Sequence, residues 1–412
     1  MLSPLQQWVE EKTGLGASLN PHTLEQFQFI RLREQLRFAL AHSPYYRKRL
    51  DGLDIERIID RSSLPLLPFT QAEALREEPQ KLCCISGGDV RRVTTLNTSG
   101  SSGDTKRVWF SHADLARTVE FFARGMATMI GPGKTALILL SGNTQDSLGD
   151  LLGRALSIIG VTPIIHGPVK ETYAAIYAAR KADCIIVLPV QLNRLCLSSA
   201  AGLRPETVLL TADYIPQGII NNIRNVWGSE VFTHYGMTES GFGLAVQCSA
   251  HEAQHLRDAE FIIEIIDPES GKPLPDGQWG ELALTSLRNE AMPLIRYRTG
   301  DITRRIVRPC SCGGCLPRLD KVMGRISDTG QKYQINALDE ALFLLPGLFD
   351  YRANILSDNE LELILDGLSV YSEDELRRAL GTQGLEPPVL KFHNEVLPVF
   401  SGPEKRNITP HA

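Results

Sequence analysis

The sequence predicts an α/β protein. A large N-terminal domain over residues 1–325 combines a mostly parallel sheet with an antiparallel, barrel-like subdomain, and a small α+β C-terminal domain occupies 326–412. Three observations predict this. Between residues 135 and 236, short apolar runs alternate with stretches rich in helix formers, the pattern of strand–helix–strand units. From about residue 258 that alternation gives way to strand-like runs joined by short Gly/Pro/Asp turns. After Gly324 a last segment carries a hairpin pattern, a capped-helix pattern and one further strand.

The totals agree. A chain of 412 residues, 43% of them apolar, is long enough for more than one sizeable core. A net charge of −5 and a pI of about 6.0 point away from nucleic acid and anionic membranes as partners. No apolar stretch approaches the ~18–20 residues that span a bilayer. The N-terminus, MLSPLQQWVEEKTG, lacks the basic head and apolar core of a signal peptide. A cytoplasmic protein is expected. In that compartment the eight cysteines do not read as a disulfide framework.

Residues 1–90 read as helical. Thr23 and Gln26 have capping-box spacing, and Phe29, Leu32, Leu36 and Leu40 follow on one face. The stretch SSLPLLPF (62–69) is a proline-punctuated connector. Next comes TSGSSGDTK (98–106), without an apolar side chain. Its glycines let backbone N–H groups turn toward a ligand, its hydroxyls add donors and Lys106 adds a charge, a composition suited to an anion. It is not the common phosphate loop: counting from Gly100, Thr105 stands where the second glycine of G-x-x-x-x-G-K-[ST] belongs.

The parallel strands are expected in TALILLSG (135–142), VTPIIHG (161–167), DCIIVLP (183–189), ETVLLTA (206–212) and EVFTHYG (230–236). Ligands of such sheets bind beyond the carboxyl ends of the strands, which draws attention to HYGMTES (234–240). EFIIEIIDP, GELALTSL and PLIRYRTGD supply the antiparallel part. ANILSDNELELILDG, SEDELRRAL and PVLKFHNEVLP build the last unit.

The loop TSGSSGDTK, then HYGMTES, then YRTGD (297–301) and GRISD (324–328), in this order, resemble the adenylate-forming superfamily. HSPYYRKRL (42–50), PLIRYRTGD and CSCGGCLPR look like its phenylacetate–coenzyme A ligase branch. The resemblance covers roughly residues 25–328 and fades beyond. It implies ATP- and Mg²⁺-dependent adenylation of an aryl or acyl carboxylic acid, release of pyrophosphate, and transfer to coenzyme A. Two alternatives stay open: an amine, a carrier protein or a partner enzyme's substrate as acceptor, and a non-catalytic nucleotide-binding relative. A homodimer is compatible with the resemblance.

The resemblance also assigns roles. Thr98, Ser99, Gly100, Ser101, Ser102, Gly103 and Lys106 would wrap the β- and γ-phosphates. Thr238 would donate to the α-phosphate and Glu239 would hold Mg²⁺, which favours hard oxygen ligands. Tyr235 offers a flat face for adenine, Asp301 can accept from both ribose hydroxyls, and Arg325 can bridge ribose and phosphate. In TADY (211–214), where relatives carry a glycine pair, Asp213 either accepts from the adenine amino group or caps a helix. Ser141, Asn143, His166, Tyr214 and Gly236 are candidates for the acyl pocket, with Gly236 leaving room beside Tyr235 for a flat ring.

The C-terminal domain would be mobile about a hinge at Asp328 and would present a catalytic lysine. Pro403 stands at that lysine's strict position; Lys405, two residues later, is either the mobile lysine or a surface residue. The segment ISDTGQKYQINALDEAL lacks the Arg-Gly-x-Asn run of typical coenzyme A ligases, with Asn336 as a remnant.

Three cysteines crowd into CSCGGC: Cys310, Cys312 and Cys315. Upstream, QCSAHEAQHLRD adds Cys248, His251 and His255. Two thiolates from one hairpin and a Cys/His pair from a distant loop would make a tetrahedral zinc centre. The resemblance points to Cys248, His255, Cys310 and Cys312, with Cys315 and His251 as competitors, against a metal-free cysteine turn as the plain alternative. Four protein ligands leave no open position, so such a zinc would be structural.

Overall fold

A computed structural model describes residues 3–97, 105–198, 202–328, 333–357 and 359–399. The chain divides into two compact units. The first comprises Met1–Met129, Arg154–Ile159 and His234–Ile326; the second comprises Ile130–Gly153, Gly160–Thr233 and Ser327–Ala412. Each is described in turn.

The second unit contains the expected parallel sheet. Its strands lie in the order Thr162–Ile165, Thr135–Ile138, Cys184–Val187, Thr207–Leu210 and Glu230–Tyr235, every neighbouring pair parallel. The two inner runs, CIIV and TVLL, are buried at every position, as strands covered on both faces must be. The helices Pro189–Ser198 and Gln217–Trp227 pack through Leu192, Leu195, Ile219 and Ile223.

The same core takes in the C-terminal residues. The strands Leu348–Ser357 and Glu360–Gly367 form an antiparallel hairpin, and Val389–Asn394 joins the hairpin in parallel. The helices Ile335–Leu342 and Glu373–Gly381 contribute Leu338, Leu342, Leu376 and Leu380 to one continuous apolar cluster with the parallel-sheet residues. Polar ties reinforce the join. Asn193 Nδ2 donates to the carbonyls of Leu348 (2.7 Å) and Phe349 (3.1 Å). Arg194 Nη2 meets Asp366 Oδ2 at 2.5 Å, both side chains largely buried. Gly218 lies so close to the Phe343 carbonyl that a Cβ there would be 2.2 Å from its oxygen. The last segment thus forms its own sheet and shares a core with residues 130–233.

In the first unit the helix Pro21–His42 buries Phe29, Leu32 and Leu36. Its cap differs from the expected one. Asn20 is the capping residue, its Oδ1 accepting from the N–H groups of His22 and Thr23, and Thr23 closes the box by accepting from Asn20 N–H. Thr23 is thus the third residue inside the helix, and Pro21 occupies the first, where its fixed φ suits a helix start. The strands Val90–Asn97 and Thr105–Ser111 form a hairpin that brackets residues 98–104, with Asn97 opposite Thr105.

The antiparallel part is an open sheet. Its order is Phe261–Ile266, Gly280–Ser286, Tyr297–Thr303, Gly324–Arg325, and among the described residues the outer strands do not pair to close a barrel. Closure needs the two edges to meet in register, and a two-residue edge strand offers too little ladder for that. A second antiparallel arm begins where His234 and Tyr235 pair with Ala245–Gln247, and continues through Gln254–Leu256, Arg318–Leu319 and Arg305–Ile306. Among the described residues no helix is long and apolar enough to cross a membrane.

Candidate active site

The first unit brings together residues from four separate stretches. Alternation along the strand Tyr297–Thr303 buries Tyr297, Thr299, Asp301 and Thr303 on one face. Asp301 is the hub of one cluster. Its Oδ2 accepts from the Tyr235 hydroxyl at 2.6 Å and its Oδ1 from Arg325 Nε at 3.0 Å. Arg325 Nη2 also donates to the Thr299 carbonyl at 2.9 Å, fixing the guanidinium across the strand ladder. Burial, then the Asp301 carboxylate, pushes the Tyr235 phenol far above its ordinary range. Burial alone would lower Arg325, yet Asp301 beside it leaves the guanidinium with a raised pKa. Tyr235 therefore stays neutral and Arg325 charged.

Glu239 is the hub of a second cluster. It lies in the short turn Thr238–Ser240 that follows the strand Glu230–Tyr235. Its Oε1 is 3.2 Å from Lys106 Nζ and 2.9 Å from the Tyr297 hydroxyl, and Lys106 Nζ is 3.0 Å from that hydroxyl. The two clusters feel each other: the Glu239 charge raises Tyr235, and the Asp301 charge raises Tyr297. The turn is held from beneath. The buried Arg257 lies over the rings of Phe121 and Phe261 and donates to the carbonyls of Ser240 and Gly243 at 3.4 Å each.

Tyr297 and Arg257 are the members that sequence reasoning missed. For Tyr297 the signal was available, because it opens YRTGD and shares a strand face with Asp301. Arg257 carried no motif signal: it belongs to none of the matched stretches, and its stacking on Phe121 joins residues far apart in the chain.

Other expected residues fall elsewhere. Gly236 has no open space on its side-chain face: a Cβ would lie 2.1 Å from the Phe242 carbonyl oxygen and 2.7 Å from His234 Cε1. Its bare Cα thus answers a backbone approach in place of the flat ring anticipated there. In the second unit, Ser141 and Asn143 follow the strand Thr135–Ile138 and are exposed, and His166 follows Thr162–Ile165 with Nδ1 3.3 Å from the Gly167 carbonyl. Asp213 Oδ1 accepts from the Tyr214 N–H at 2.9 Å. The Tyr214 hydroxyl, expected at the acyl group, donates to Glu340 Oε1 at 2.7 Å. Thr98, Ser99, Gly100, Ser101, Ser102 and Gly103 lie outside the described residues, as do Lys405 and the side chain of Asp328.

The cysteine cluster assembles in the first unit. The ligand atoms of Cys248, His255, Cys310 and Cys312 all lie within 4.8 Å of one another, and all four residues are buried. Cys248 Sγ is 3.6 Å from Cys310 Sγ, and Cys312 Sγ is 3.5 Å from His255 Nε2. A tetrahedral zinc with Zn–S of about 2.3 Å and Zn–N of about 2.0 Å has edges near 3.5–3.8 Å, which these two separations match. Burial pushes the Cys248 thiol up to about 12 and, with Arg318, brings His255 down to about 4. The imidazole is thus neutral, as a ligand must be, and thiols buried here would ionise only against a cation. Cys315 turns elsewhere, toward Gln6 Nε2 and the Leu19 carbonyl, each at 3.5 Å, and His251 is outside the cluster.

The model of the family described as "AMP-binding enzyme" matches residues 92–287. The phenylacetate-coenzyme A ligase of Thermus thermophilus is 28% identical over 317 residues, covering 74% of this chain and 71% of that protein. The Escherichia coli phenylacetate-coenzyme A ligase is 27% identical over 318 residues, with coverages of 74% and 72%. Among solved structures, 2-hydroxyisobutyryl-CoA ligase in a postadenylation state with an acyl-AMP superposes with a TM-score of 0.76 over 92% of this chain and 87% of that one, at 19% identity. This last likeness is one of fold.

Proposed function

We propose that this chain, similar to AMP-binding enzymes over residues 92–287 and to phenylacetate-coenzyme A ligases, joins an aryl or acyl carboxylic acid to AMP and passes the acyl group to coenzyme A. In the first step a carboxylate oxygen attacks the α-phosphorus of ATP, the bond to the bridging oxygen breaks, and pyrophosphate leaves. In the second the thiol sulfur attacks the acyl carbon, gives up its proton, and AMP departs. An aromatic acid is the preferred substrate class.

Both steps turn on bringing anions together and stabilising what leaves. Lys106, with the hydroxyls and N–H groups of 98–103, serves the β- and γ-phosphates. Thr238 donates to the α-phosphate. Glu239 would hold Mg²⁺, which when bound neutralises phosphate charge. Tyr235 stacks on adenine while Asp301 accepts from the ribose hydroxyls; Asp301 holds one donor on each oxygen, so the ribose shares an acceptor that is already oriented. Asp213 is the candidate for the adenine amino group, and Ser141, Asn143 and His166 remain candidates for the acid. Lys405 keeps its proposed part, whereas a hinge at Asp328 would have to part the core that the C-terminal strands share with residues 130–233. Zinc in the Cys248–His255–Cys310–Cys312 cage is structural. Eight free thiols accord with a reducing, cytoplasmic setting.

The observation that carries this reading is the arrangement of Lys106, Glu239, Tyr235, Asp301 and Arg325 in two hydrogen-bonded clusters within one unit. Pyrophosphate exchange tests it. Exchange should require an acid from an aryl and arylacetic panel, and Glu239→Gln should lower it by about 10²-fold or more. Addition of coenzyme A should then yield thioester. ATP binding without exchange for any acid would refute the activity, and accumulation of adenylate without thioester would refute the acceptor.

A further inference from the structure

The proposed roles of Lys106 and Glu239 leave the residue between them unexplained. Tyr297 is fully buried, and its hydroxyl touches both, at 3.0 Å and 2.9 Å. The direction of each bond is forced by chemistry. An ammonium only donates and a carboxylate only accepts, so the phenol accepts from Lys106 and donates its single proton to Glu239. Both contacts on Glu239 fall on Oε1; among the described residues no hydrogen bond reaches Oε2.

The phenol is rigidly mounted. Arg296, the residue before it, takes a φ of 46°, and its N–H donates to Thr285 Oγ1 at 2.9 Å. The Arg296 guanidinium is clamped on Glu264 at 2.8–3.2 Å and lies 4.0 Å from the Phe69 ring centroid. The backbone that aims Tyr297 is therefore pinned at its first residue.

We propose that Tyr297 is a positioning residue that orients Glu239 and releases Lys106. It ties down Oε1, leaving Oε2 as the oxygen that would hold a divalent cation, and it keeps Glu239 partnered when the ammonium leaves for the nucleotide phosphates. Without the hydroxyl, departure of Lys106 would strip a nearly buried carboxylate of its last hydrogen bond, and a charged group left so is costly. This inference rests on the assignment of Glu239 to Mg²⁺ and Lys106 to phosphate.

The test is a Mg²⁺ titration of ATP binding, by calorimetry, in wild type, Tyr297→Phe and Glu239→Gln. In Tyr297→Phe the half-saturating Mg²⁺ should rise about tenfold, while ATP binding in EDTA stays within about twofold of wild type. A general structural defect would weaken both alike. Glu239→Gln should remove the Mg²⁺ response with or without the Tyr297 hydroxyl. An unchanged Mg²⁺ midpoint in Tyr297→Phe overturns the proposal. Should that variant not fold, 3-fluorotyrosine placed at 297 keeps the hydroxyl. Its ¹⁹F resonance should shift with Mg²⁺ and ATP but not with ATP in EDTA, and an unmoved resonance overturns the proposal equally. The expected Mg²⁺ behaviour without pyrophosphate exchange would bring down the adenylating activity and leave Tyr297 as assigned.

Discussion

Asp258 shows how far a single residue departs from its sequence appearance. In QHLRDAEF nothing marks it out, yet it is buried, with Oδ2 making no hydrogen bond. Burial pushes its carboxyl up to about 6, against the pull of Arg305 and Arg61. The folded state therefore holds this proton more tightly than the unfolded chain, whose ordinary value is 3.8. The stability gained is complete below about 3.8 and is lost as pH rises through about 6, so the native protein at neutral pH carries a cost of about 3 kcal/mol. Asp258→Asn should stabilise the protein by about 2–3 kcal/mol at pH 8 and change little at pH 4. Urea denaturation at the two pH values checks this, and an equal shift at both would exclude titration of Asp258 as the cause. The contrast with Asp301 is instructive. Asp301 stood out because YRTGD is a local motif, whereas the setting of Asp258 depends on Arg61 and Arg305, which no local pattern brings together.

At the scale of elements, the parallel strands were legible because each is a short apolar run cut off by a turn. The openness of the antiparallel sheet was not, since the sequence shows strands but not whether the edges meet. The CSCGGC hairpin lies between these cases. The resemblance pointed to Cys248, His255, Cys310 and Cys312 against Cys315, His251 and a metal-free turn, and those four do cluster, a grouping that depends on the pairing of Gln254–Leu256 with Arg318–Leu319, which no local spacing shows. Gly314 is the element's steric key: a Cβ there would lie 2.8 Å from Gln6 Oε1, 3.0 Å from His255 Cε1 and 3.3 Å from Cys312 Sγ. Gly314→Ala should therefore loosen the proposed zinc by roughly tenfold or more, the scale on which altered ligand surroundings act. Competition with a chromogenic chelator measures it. Zinc retention equal to wild type would mean that the hairpin absorbs the methyl group without moving its ligands.

At the scale of the whole chain, periodicity says which residues face a core but not whose core it is. The composition change after residue 324 suggested a boundary at 325/326, and the C-terminal strands do form a separate sheet. Yet Leu338, Leu342 and Leu348 pack in one cluster with Leu192, Leu195, Ile219 and Ile223. The chain expressed as residues 1–325 would expose that apolar face of the helices Pro189–Ser198 and Gln217–Trp227. It should aggregate or lose the cooperative unfolding of the full chain, as judged by light scattering and calorimetry. A finer version keeps every residue. Asp366 Oδ2 accepts from Arg194 at 2.5 Å and from the Leu397 N–H at 3.0 Å. Asp366→Asn leaves the Arg194 guanidinium buried without its counter-charge, which costs about 3–5 kcal/mol where such a pair is broken from one side. Replacing both members, as Arg194→Met with Asp366→Leu, should recover most of that loss, because it removes the stranded charge as well as the bond. If the single variant unfolds like wild type in urea, the ion pair does not hold the C-terminal segment, which then rests on its apolar contacts and the Asn193 hydrogen bonds.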